Sequence, residues 1–148
     1  LALYIDSSFL LNIIYSENHF EKYLEIFNSQ QKKFSSILLE IETARSLNLF
    51  YNIKKKDLGK VWLNESEATL NDFLSQINLK NVDSDIRLEI KKYKNILELK
   101  SLDATHLATA TYIRKMISED LTICTLDDKF RSVSKKFEFN LLPKSMNK

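Results

Sequence analysis

The first five residues, Leu1-Ala2-Leu3-Tyr4-Ile5, are apolar without interruption and stop abruptly on Asp6-Ser7-Ser8. A run this short, with no polar alternate positions, is the pattern of a strand buried on both faces, as in a parallel sheet covered by helices on either side. The same cadence returns at Leu121 to Thr125 (LTICT), which ends in Leu126-Asp127-Asp128. In open α/β sheets the carboxyl ends of the strands are where ligands bind, because the core stops there and helix N-termini converge. Asp6 is therefore either a cap for the helix that follows or a functional group at that edge.

The intervening segments supply the rest of an α/β order. Phe9 to Tyr15 is expected as a short helix, and Phe20, Tyr23, Leu24 and Phe27 form one apolar stripe of a second helix beginning near Asn18. A polar break at Gln30 to Lys33 precedes a strand at Phe34-Ser35-Ser36, where either serine can cap the next helix. That helix spans Ile37 to Tyr51, with Ile41, Ala44 and Leu47 as its expected buried face. Lys54-Lys55-Lys56 is expected as a basic turn, and Asp57 to Ile77 as a helical stretch with a break at Asn64-Glu65-Ser66-Glu67, the pair standing off the sheet as a hairpin. Ile77 to Val82 alternates as a strand does, Asp83 or Ser84 opens a helix carrying Ile86, Ile90 and Tyr93, and Lys94 to Ser101 is a loop. The small-residue segment Leu102 to Thr111 is a helix that can approach the sheet closely, and Phe137 to Leu142 is a last strand ended by Pro143. Alternation of this kind predicts a three-layer α/β/α fold with a central parallel sheet of four to five strands. The 148 residues suit a single domain, with an ordered core over 1–143 and a polar, frayed tail over 144–148.

Overall charge announces no partner: 22 Lys and Arg stand against 20 Asp and Glu. If four acids gather around a cation, however, the remaining surface is basic and compatible with a polyanion. The single cysteine, Cys124, excludes an internal disulfide and a multi-cysteine zinc site and is expected in the core. No apolar run reaches membrane-span length, so no membrane is expected and a cytoplasmic protein is the default.

Four acids can share the sheet edge. Asp6 and Asp127 end strands, Glu42 lies about a turn into a helix, and Asp103 opens another. Converging carboxylates repel unless a cation compensates, and hard oxygen ligands without cysteine favour Mg²⁺ or Mn²⁺ over zinc. Such an arrangement suits hydrolysis of a phosphodiester. Glu40 lies about 200° from Glu42 on a helical wheel, so only one of the two can serve the site. Asp128 likewise competes with Asp127.

The segments Tyr4-Ile5-Asp6-Ser7-Ser8-Phe9-Leu10-Leu11, Ser35-Ser36-Ile37-Leu38 with Glu42-Thr43-Ala44-Arg45-Ser46-Leu47, Leu102-Asp103-Ala104-Thr105-His106-Leu107-Ala108-Thr109-Ala110 and Ile123-Cys124-Thr125-Leu126-Asp127 resemble the PIN-domain ribonucleases, specifically the VapC-type toxins of toxin–antitoxin pairs. The resemblance implies that Asp6, Glu42, Asp103 and Asp127 surround one or two Mg²⁺ or Mn²⁺ ions and cleave RNA. It selects Glu42 and Asp127 over their neighbours by position. It assigns Ser8 and Thr125 to supporting the carboxylates, and His106 to packing or support rather than metal ligation. Arg45 becomes a candidate phosphate contact, with an ordinary surface arginine as the alternative. Implied partners are an RNA substrate, a cognate antitoxin and a second copy of the chain, with the helices over Ile37 to Tyr51 and Asp57 to Ile77 as the candidate antitoxin groove. A protein of the same fold that binds RNA or scaffolds without turnover is the alternative. A phosphoacceptor domain is disfavoured because Thr125-Leu126-Asp127 lacks the lysine such a site needs at a late strand end.

Overall fold

The computed structural model describes residues 1–146. Five parallel strands lie in the order β3-β2-β1-β4-β5: β1 (Ala2–Ile5), β2 (Lys33–Ser36), β3 (Asn78–Lys80), β4 (Leu121–Cys124) and β5 (Asn140–Leu142). The chain winds outward from β1 through β2 to β3, then crosses back to lay β4 against the other side of β1. The strand order therefore reverses between β1 and β4, which puts a crevice at their carboxyl ends.

All four residues of β1 are buried, as expected from a run with no polar positions, and they alternate between two cores. Ala2 and Tyr4 join Ile86, Leu107, Ile113, Phe130 and Phe139 on one face. Leu3 and Ile5 join Phe9, Phe27, Leu39, Leu47 and Leu70 on the other. Helices α1 (Ser7–Ile14), α2 (Phe20–Asn28) and α3 (Leu38–Leu74) cover the second face; α4 (Ser84–Lys92), α5 (Ser101–Met116) and α6 (Asp128–Lys136) cover the first. The three-layer α/β/α architecture is thus present with five strands. In α5 the small residues Ala104, Ala108 and Ala110 are buried beside Leu107 and Ile113, so the helix lies close against the sheet.

The largest departure from expectation is α3. Residues Lys54 to Lys56 are helical rather than a turn, and no break falls at Asn64 to Glu67. The interruption is at Gly59, the chain's single glycine, with φ +73° and ψ 169°. Only glycine reaches that region without strain, and one such residue suffices to reverse the chain between two helical arms. Phe50 meets Trp62 with ring centroids 5.4 Å apart, and Leu47 lines one small cavity with Leu70, so the arms run antiparallel as the expected hairpin. The buried stripe of the first arm is Leu39, Thr43 and Leu47, not Ile41, Ala44 and Leu47; Ile41 is 59% exposed. Leu39, Thr43 and Leu47 recur every fourth residue, and Thr43 satisfies its hydroxyl on the Leu39 carbonyl, 2.7 Å away, so a polar residue sits in the core without cost to hydrogen bonding.

Smaller differences concern strand ends. Lys33 belongs to β2 and is buried, its ammonium 4.7 Å from the Phe27 ring centroid, where desolvation lowers its proton affinity. The segment expected as a loop before α5 contains a 3₁₀ turn at Lys94–Glu98 that buries Ile96. The last strand begins at Asn140, after Glu138 turns the chain with φ +63°. Of the expected tail, Lys144 to Met146 are exposed, and residues 147 and 148 lie outside the described ones.

Candidate active site at the carboxyl edge

Asp6 follows β1 directly and is 3% exposed. Its position is fixed by the sheet: the Asp6 backbone N–H donates to the Cys124 carbonyl at 3.0 Å, extending the β1–β4 ladder one residue past the end of β1. Its carboxylate makes no capping bond to α1. Instead Oδ2 accepts from the Ser8 hydroxyl at 2.6 Å and from the Thr125 hydroxyl at 2.7 Å. Ser8 Oγ and Thr125 Oγ1 lie 3.2 Å apart, Leu126 N–H donates to Ser8 Oγ, and Asp127 N–H donates to Thr125 Oγ1. The ends of β1 and β4 are thereby laced together through hydroxyls, with Asp6 at the centre.

Asp103 sits in the first turn of α5, half-buried, where the helix N-terminus favours an anion. Its carboxyl is nevertheless pushed up to about 6, first by desolvation, then by the charges of Asp6 and Asp127, with His106 opposing and Glu42 adding to the rise. Acids from three other segments thus bear on one carboxyl. Asp127 is exposed and caps α6, its Oδ1 accepting the Phe130 N–H at 2.7 Å. Asp128 lies in the first turn of α6, and it is Asp127 that is among the acids raising Asp103.

Glu42 is the helix acid that reaches the edge; Glu40 is exposed on the opposite side of the arm. Glu42 Oε1 lies 2.5 Å from His106 Nε2, and Ser7 Oγ donates to Oε2 over 3.4 Å. His106 is fully buried, and its Nδ1 is 2.7 Å from the Tyr4 hydroxyl. Burial acts to lower the imidazole, but the bond to Glu42 and the charges of Asp6, Glu42 and Asp103 overcome it and hold His106 above its ordinary value. Desolvation pushes the Tyr4 phenol well up, so Tyr4 stays neutral and serves as a hydrogen-bonding hydroxyl. Tyr4 and Ser7 are the contributors that sequence reasoning missed. The one available signal was a hydroxyl inside an otherwise apolar strand. Arg45 is exposed and, among the described residues, its side chain makes no hydrogen bond or ion pair. Cys124 is buried, and its thiol is pushed up by desolvation, which leaves it inert as a core residue.

Among the described residues no group of three or more His, Cys, Asp or Glu side chains closes to form a metal cage. The donor set at the edge is nonetheless all carboxylate oxygen, with His106 turned to Glu42 and Tyr4, and Asp103 lies within reach of the charges of Asp6, Asp127 and Glu42. Those features fit a hard divalent ion that keeps much of its own water.

A doubly wound parallel sheet with acids gathered at its reversal point defines an α/β domain with an anionic site at the carboxyl edge. Residues 3–136 match the family model of the PIN domain, and the chain belongs to that family. PIN domains are generally nucleases. No curated protein is close enough in sequence to match. Among solved structures, a toxin-antitoxin complex from Klebsiella pneumoniae is similar in fold, with a TM-score of 0.57 and 22% identity over 87% of this chain and 88% of that one. No helix among the described residues is long and apolar enough to cross a membrane.

Proposed function

We propose that the chain is a divalent-metal-dependent endoribonuclease, acting in the cytoplasm as the toxin of a toxin–antitoxin pair. The observation that carries this is the gathering of acids from four segments at the crevice between β1 and β4, where Asp6, Asp127 and Glu42 all act on the half-buried Asp103. Asp6, Asp103 and Asp127, with Glu42, are the residues that would hold Mg²⁺ or Mn²⁺, as one ion or two. When bound, such an ion supplies a nucleophilic water and offsets charge on the phosphate oxygens.

The chain's own residues prepare that site. Ser8 and Thr125 both donate to Asp6 Oδ2, so they fix the rotamer of the carboxylate. His106, held by Tyr4 at Nδ1, orients Glu42 through Nε2, and the α5 N-terminus steadies Asp103. The partners are RNA, a cognate antitoxin and a second copy of the chain. The similarity to a toxin-antitoxin complex supports the antitoxin. Ile41, Ile53 and Val61, all more than half exposed on the two arms of α3, are apolar surface for such contacts.

Purified protein with Mg²⁺ or Mn²⁺ should cut single-stranded RNA, and Asp6→Asn should lower the rate by at least about a hundred-fold while the circular dichroism spectrum is unchanged. Undiminished cleavage by this variant would refute the assignment. Binding of RNA without turnover, and no stabilisation by divalent ions, would favour the inactive scaffold instead. Glu42→Gln should reduce cleavage about ten-fold or more, whereas Glu40→Gln should leave it unchanged. The reverse result would move the helix acid to Glu40.

A further inference from the structure

A cleft outside the acid cluster lies between α6 and the segment that follows β5, lined by Asp128, Arg131, Ser132, Lys135, Lys144 and Ser145, with a volume of about 470 Å³. Its cationic side chains are of two kinds. Arg131 is 5% exposed and rigidly held, with Nη1 donating to the Thr125 carbonyl at 2.8 Å and Nη2 to the Pro143 carbonyl at 2.6 Å. It ties both walls of the cleft to the end of β4 and places a fixed positive charge in its floor. Lys135 and Lys144 are exposed, one on each wall, and neither takes part in an ion pair among the described residues, unlike Lys136, which engages Glu98 at 2.9 Å. One acid, Asp128, faces three cations here.

The location gives the charge a purpose. Asp128, which lines the cleft, is the residue after Asp127, and Arg131 is anchored on Thr125, which donates to Asp6. We propose that this cleft is a phosphate-binding subsite for the RNA strand, receiving a backbone phosphate beside the scissile one. This rests on the nuclease assignment above. A strand crossing the carboxyl edge meets an anionic site that repels its phosphates, and a neighbouring cationic cleft supplies the compensating attraction. Arg131 contributes its fixed field and the rigidity of the walls. Lys135 and Lys144 make the contacts, as flexible ammonium donors that read phosphate and not base.

The test is the Lys135→Ala/Lys144→Ala double variant, with Lys54→Ala/Lys55→Ala on the distant arm of α3 as the charge-matched control. Binding of a fluorescein-labelled single-stranded RNA is followed by anisotropy across a salt series, and cleavage kinetics are measured with Mn²⁺. The cleft variant should bind roughly ten-fold more weakly at low salt, with the slope of log affinity against log salt reduced by about 0.7, the value for one lost phosphate contact on a single strand. Its KM should rise with kcat unchanged, the mark of lost uniform binding. An unchanged slope and KM in the cleft variant, or an equal loss in the α3 control, overturns the proposal. Absence of RNA binding and cleavage by the parent protein overturns the nuclease assignment and the subsite with it, and shows before either variant is made.

Discussion

An Asp103→Asn variant is expected to be more stable than the parent without divalent ions, and inactive with them. Desolvation and the charges of Asp6 and Asp127 raise the Asp103 carboxyl from 3.8 to about 6 in the folded protein. The folded state therefore holds this proton more tightly than the unfolded chain does. Stability of the metal-free protein falls as pH climbs from about 4 to about 6, and above that the penalty is present in full. His106, also held above its ordinary value, acts in the same direction: its contribution is lost as pH rises through its folded value. Removing the Asp103 charge lifts the penalty, by about 1 kcal/mol once solvent screening of a half-exposed carboxyl is allowed for. In a chain of this size that is roughly 3 °C in melting temperature. Melts in chelator at neutral pH should show the gain, and melts at pH 4 should not. Added Mn²⁺ should stabilise the parent and leave the variant unmoved. A variant that melts lower than the parent in chelator would mean that the acids do not oppose one another.

His106→Ala should carry the largest stability cost of any substitution at the site. The imidazole is fully buried between Tyr4 and Glu42, so truncation leaves a cavity and strands the Tyr4 hydroxyl in the core. Cavity and unsatisfied group together amount to about 2–4 kcal/mol. Tyr4→Phe, which removes one hydroxyl and keeps the ring, should cost about 1 kcal/mol and still fold. Urea denaturation measures both. Cleavage should fall in each, further for His106→Ala, because Glu42 loses the group that orients it. A His106→Ala midpoint indistinguishable from the parent would show that the buried chain from Tyr4 to Glu42 carries no load.

Much of this was legible in the sequence because burial on both faces leaves no polar alternate positions. Leu1 to Ile5 and Leu121 to Thr125 could be little else than central strands, and the acids after them had to fall at the carboxyl edge. The small residues of α5 likewise announced close packing. The arms of α3 were harder to place. Its lysines and polar residues look like turns in a one-dimensional pattern, yet exposed helix tolerates them readily, and the true signal was the lone Gly59. Glu42 could be preferred to Glu40 only by analogy, since the buried stripe through Thr43 is disguised by a threonine that bonds its own helix. The hydroxyl of Tyr4 inside an apolar strand hinted at a polar partner but could not name it, because partners 102 residues apart leave no mark on local spacing.

The hydroxyl bond from Thr125 to Asp6 joins positions separated by 119 residues, and β4 is the strand that completes the crevice beside β1. A chain emerging from the ribosome therefore exposes Asp6 and Glu42 long before Thr125 and Asp127 arrive to finish the constellation. The full set of acids is therefore assembled only after β4 has been synthesised and has joined β1, and on the proposed reading no shorter nascent chain holds a complete site.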